Sequence, residues 1–137
     1  MVSAGGTARV FARLALGAGF LSAVADRFGI WGPAGATNVA WGDFASFTGY
    51  AAKLNPWAPD ALVPMIAWTA TLLEIVLGVL LIVGWQTRWV AFASGVLLLL
   101  FAVGMTVGTG IKTAFDASVF AASALGFLLS ASEGKDE

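Results

Sequence analysis

The sequence predicts an all-α protein, an integral membrane four-helix bundle with a short interfacial helix between transmembrane helices 1 and 2. Three observations carry that reading. Charged residues make up only 11% of the 137-residue chain and hydrophobic ones 59%, whereas a soluble domain carries about 25% charged residues; so few charges cannot cover a water-facing exterior. Residues 62–84 form one apolar run with a single carboxylate, Glu74, near its middle, and about 20 such residues at a rise of about 1.5 Å each cross the ~30 Å hydrocarbon core of a bilayer. Apolar runs of similar length recur on either side of it, separated by Gly- and Pro-containing breaks.

Taken in order, the chain reads as a single transmembrane domain over residues 1–137. The first span covers about 9–30, with Arg9 and Arg13 at its start and Asp26-Arg27 near its end. Gly17, Gly19 and Ser22 give it small residues against which a neighbouring helix can pack closely. Residues 31–38, WGPAGATN, are a breaker cluster. An amphipathic helix follows at about 39–54, with Thr37 or Asn38 placed to cap it. Its apolar residues Trp41, Phe44, Phe47, Ala51 and Leu54 recur at helical spacing, which suits a helix in the headgroup plane or over the bundle mouth. Residues 55–60, NPWAPD, form a rigid turn, and Asp60 stands where it can cap the second span. That span covers about 61–84, with Pro64 in the first turn where a missing N–H is tolerated. The link to the third span, about 88–108, is short, so the two are antiparallel; Gly104 and Gly108 mark a close-packing face. The fourth span, about 112–131, carries Asp116 near its start and the small residues Ser118, Ala122 and Gly126 four apart. Four spans put both termini on one side, with Arg9, Arg13, Arg88 and Lys135, against Arg27, Lys53 and Lys112 on the other. The balance favours cytoplasmic termini.

The chain has no Cys and no His. That excludes disulfide exchange, Cys/His zinc sites and His-ligated haem, and no metal site is expected. A net charge of −1 offers no basic surface for nucleic acid. Attention falls on Glu74. A lone acid at bilayer depth costs about 2–3 kcal/mol or more, so it must be protonated, hydrogen-bonded or paired. Depths counted along the helices place Arg13 nearest to it, with Arg88 at the membrane boundary, and gather Asp26, Arg27, Lys112 and Asp116 towards the opposite side. Two polar layers are therefore expected, Glu74 with Arg13 and Arg88, and Asp26/Arg27 with Asp116/Lys112. Trp41, Phe44 and Phe47 form the expected lid. Blander roles compete: Arg88 as an interfacial anchor, Lys112–Asp116 as a surface i,i+4 pair, and Asp26-Arg27 as the point where the first helix leaves the membrane. None of these residues reads as catalytic.

The pattern resembles the DoxX family of small four-helix bacterial membrane proteins. The matching stretches are RLALGAGFL at 13–21 with DRF at 26–28, VAWGDFASF at 39–47, NPWAP at 55–59, AWTATLLE at 67–74 with Gly78, and VGWQTR at 83–88. FAVGM at 101–105, GIK at 110–112 and DASVF at 116–120 complete it. The resemblance implies a multi-pass protein of the bacterial cytoplasmic (inner) membrane, associated with membrane redox chemistry. One branch of that family is similar to a subunit of a thiosulfate:quinone oxidoreductase, and other branches are linked to oxidative-stress complexes. Relatives that handle thiols use cysteines, which this chain lacks. The expectation is a redox-associated membrane subunit binding a quinone-like or lipid ligand in the bundle, quinone being the one cofactor suggested. A quinone head needs a hydrogen-bond donor and a proton source, and Arg with a protonated Glu supplies both. Two alternatives stand beside it: a non-catalytic scaffold or assembly subunit for a membrane or cytoplasmic oxidoreductase, and small-solute or proton transport by a homo-oligomer.

Overall fold

A computed structural model describes residues 4–133. Its helices are α1 (Ala4–Arg27), α2 (Phe44–Leu54), α3 (Val63–Val83), α4 (Thr87–Thr109), α5 (Ile111–Asp116) and α6 (Val119–Glu133), with a 3-10 turn, Asp60–Leu62, leading into α3. No strand occurs among the described residues. Three helical stretches, Ala4–Arg27, Asp60–Val83 and Thr87–Thr109, are long and apolar enough to cross a membrane, and Val119–Glu133 is a shorter apolar helix. The chain is a membrane protein.

The bundle is built from two antiparallel pairs. α1 packs mainly on α3, and α4 mainly on α6. Both pairs meet at backbone distance because glycine removes the side chain at the crossing. A Cβ on Gly17 would lie 2.9 Å from the Gly78 carbonyl oxygen, and one on Gly126 would lie 2.9 Å from the Gly95 nitrogen. Buried serines tie the second pair: Ser123 Oγ donates to the Gly95 carbonyl and Ser130 Oγ to that of Arg88, each at 2.7 Å. Leu16, Phe20, Leu77, Leu81, Leu97 and Leu129 belong to one apolar cluster that joins the pairs. Arg9 Nε lies 4.0 Å from Glu133 Oε1, so the start of α1 and the end of α6 share one end of the bundle.

Several element boundaries differ from those read in the sequence. α1 ends at Arg27, where Gly29 turns the chain with φ +77°. α2 begins at Phe44 rather than at 39 because Asp43 is its cap: the residue is extended, and its Oδ1 accepts from Ser46 N at 2.7 Å. Asn38 instead turns left-handed, with φ 65°. Asp60 opens the 3-10 turn, and no side chain caps α3. The fourth span is broken. Ser118 adopts φ 56°, closing α5 with a bond from its N–H to the Phe115 carbonyl and starting α6 by accepting from Ala122 N. Asp116 and Ser118 are both weak helix formers that compete for local backbone groups. Gly104 and Gly108 pack on the end of α2, not on another span: a Cβ on Gly108 would lie 2.2 Å from the Lys53 carbonyl oxygen.

Candidate functional site

α3 turns one narrow face towards α1. Ala67, Thr71, Glu74 and Gly78 recur at helical spacing and are all buried. The register is set by Gly17 against Gly78 and by Arg13 against Gly84, and it brings the last residue of α1, Arg27, level with Thr71 and Glu74. Arg27 Nη1 pairs with Glu74 Oε2 and donates to Thr71 Oγ1 at 3.0 Å. The Thr71 hydroxyl in turn donates to the Ala67 carbonyl oxygen at 2.8 Å. Both charged residues are only 2% exposed. On the other side of the guanidinium lie two aromatic faces, with Cζ 3.6 Å from the Phe47 ring centroid and 5.1 Å from that of Trp41. A desolvated cation gains about 2 kcal/mol or more from such a face. The Nε of Arg27 is buried and has no acceptor among the described residues.

Asp26 does a different job from its neighbour. Its carboxylate accepts from the backbone nitrogens of Ala40, Trp41 and Gly42 at 2.9, 2.7 and 3.1 Å. Those bonds hold the loop that lays Trp41 over Arg27. Gly42 is required at φ +80°, where a Cβ would sit 2.2 Å from Ala34 N. The rings continue outward: Phe44 stacks on Trp68 with centroids 4.2 Å apart and on Phe28 at 5.6 Å. Of the three expected lid residues, Trp41 and Phe47 thus cover Arg27, and Phe44 joins the outer stack.

Beneath this lid lies a cavity of about 970 Å³, bounded by α1, α2, α3, α4 and α6. Its wall is apolar apart from a few groups, and Arg27 and Glu74 are the charged residues that line it. A second cavity, of about 580 Å³, lies on the outer side of Trp41 and Tyr50, with Ser46 and Lys53 in its wall. Burial pushes the Tyr50 phenol above its ordinary value of 10.0, so it remains a proton donor between the two spaces. Among the described residues no cluster of His, Cys, Asp or Glu is arranged to hold a metal.

The expected pairings change in consequence. Glu74 meets Arg27, not Arg13, because the register carries Arg13 to the far end of α3, where its Nη1 lies against Gly84. Arg88 is exposed and lies over the Trp89 ring, 5.1 Å from its centroid. Asp116 does not join Asp26: it pairs with Lys112 at 2.8 Å on the surface, and both are well exposed. Thr71 was not anticipated. Its signal was present, since a Thr three residues before Glu74 shares that helix face.

A family model, described as methylamine utilisation protein MauE, matches residues 6–118. The chain belongs to the MauE family. This corrects the DoxX resemblance, since MauE is a different membrane family. The MauE match covers α1 to α5 and ends at Ser118, where the fourth span breaks. It therefore includes Asp26, Arg27, Trp41, Phe47, Thr71 and Glu74. No curated protein and no solved structure matches the chain.

Proposed function

We propose that this MauE-family protein is a membrane-embedded accessory component of a redox system, and that its cavity takes a quinone-like or lipid ligand with the head at Arg27 and Glu74. The family's description concerns methylamine utilisation. Oxidising an amine at carbon releases electrons that need an acceptor, and a membrane component is well placed beside a lipid-soluble one. The observation that carries the reading is the apolar cavity that ends on a buried ion pair. Ligand sites are mostly apolar with a few placed polar groups, and their volumes run to about 1,000 Å³. In this reading the protein lies in the bacterial cytoplasmic membrane with cytoplasmic termini and serves a partner oxidoreductase.

The test is titration of the purified protein, in lipid nanodiscs, with decylubiquinone, read by quenching of tryptophan fluorescence. Saturable quenching that Glu74→Gln weakens by about tenfold or more is expected. Quenching by the wild type that only tracks quinone partitioning into lipid would overturn the reading. A second reading is favoured by the near-complete sealing of Arg27 and Glu74, both 2% exposed. There the pair is a lock between α1 and α3, and the protein is a scaffold for its partner. That reading expects Glu74→Gln to lower stability while no ligand binds to either form.

A further inference from the structure

Resting on the ligand-binding reading above, we infer the class of the ligand and its route: an uncharged amphiphile with one long apolar chain, which reaches the cavity sideways from the bilayer through the seam between α3 and α4 and leaves its chain lying there. The lid and the two glycine crossings are closed. The lid is held down by the three amide bonds to Asp26 and by the rings on Arg27. The α1–α3 and α4–α6 crossings are closed at backbone contact by Gly17 and Gly126. Along the α3–α4 seam the situation is reversed. Met65, Leu73, Leu100 and Val103 line the cavity, yet they are 64%, 44%, 62% and 51% exposed. The wall there is made of side chains that also form the outer, hydrocarbon-facing surface of two membrane-spanning helices. An occupant of that seam must itself be hydrocarbon.

The inner end selects the head. Arg27 and Glu74 compensate one another, so a ligand carrying a net charge would leave one charge unbalanced at low dielectric. A neutral head with carbonyl groups avoids this. Quinones have such a head, whereas a fatty acid brings a carboxylate. The rival route runs along the flank of α1, where Gly19 lines the cavity and a Cβ would meet nothing within 4 Å.

The experiment is photo-crosslinking of the intact protein in lipid nanodiscs with a ubiquinone analogue whose tail ends in a diazirine. Adducts are mapped by peptide mass spectrometry, with and without excess unlabelled competitor. Competed adducts on Met65, Leu73, Leu100 or Val103 are expected. Decylubiquinone should compete at least about tenfold better than a tail-less quinone or palmitate. Competed adducts at Ser46 and Lys53, or at Gly19, would overturn the route. Equal competition by the tail-less quinone or by palmitate would overturn the ligand class. In each of those cases ligand binding itself stands. Adducts that no competitor displaces would overturn the ligand-binding reading on which the inference rests.

Discussion

Separating Arg27 from Glu74 should be costly, and removing both should not be. In Glu74→Leu the guanidinium keeps Thr71 Oγ1 at 3.0 Å and two aromatic faces, but no counter-charge, at a site 2% exposed. A guanidinium cannot shed its proton, so it pays the full penalty of an uncompensated buried ion, about 3–5 kcal/mol. Arg27→Met strands a carboxyl group, which can be protonated in place; its cost is that of an unsatisfied buried polar group, about 1–3 kcal/mol. The double variant Arg27→Met/Glu74→Leu fills the same space with apolar atoms and should return to within about 1 kcal/mol of the wild type. The two substitutions should therefore be coupled by at least about 3 kcal/mol. The assay is reversible unfolding in mixed micelles by added sodium dodecyl sulfate, followed by far-UV circular dichroism. Single costs that add to within about 0.5 kcal/mol would refute a direct, buried interaction between these side chains.

Asp26→Ala should release the loop over Arg27: amide exchange across residues 40–42 should speed up by about tenfold or more, since those N–H groups lose a charged acceptor; unchanged protection would show that the loop is held by other contacts. Gly17→Val should destabilise by about 1–3 kcal/mol, because its Cβ meets the Gly78 carbonyl at 2.9 Å. Gly19→Val, on the same helix but facing open space, should change stability by no more than about 0.5 kcal/mol; similar losses from both in the same micelle assay would remove close packing as the cause. The Ser46 amide and hydroxyl hold the Asp43 carboxyl below its ordinary value of 3.8. Its support of α2 is thus complete above that value and disappears as pH falls through the lowered one. Amide exchange in α2, corrected for intrinsic rate, should show that acid step, and an acid step persisting in Asp43→Asn would assign it to another group.

The long spans were legible because lipid imposes length and composition together. A single acid in a run such as residues 62–84 is conspicuous, and Glu74 stood out for that reason. Its partner was not legible. Arg27 was recognised as a site residue, yet counting depth along each helix could not supply the register between α1 and α3. That register depends on Gly17 meeting Gly78 and on α1 ending at Arg27. The break at Ser118 lay equally out of reach, since no Gly or Pro announces it. Asp43, not Thr37 or Asn38, caps α2; the extended segment before it reads as helix in the sequence because Trp41 falls in phase with the apolar stripe. Apolar helices also discriminate poorly between families, which is how the layout came to resemble DoxX when the chain is of the MauE family.

Asp26 and Arg27 are consecutive residues, about 100° apart around the final turn of α1. One grips the peptide that carries Trp41, and the other reaches to α3. Any roll of that turn must slacken or tighten both grips at once. The loop that carries Trp41 and the buried ion pair are geared together through a single peptide unit, so a load on that loop would also reach the grip on α3.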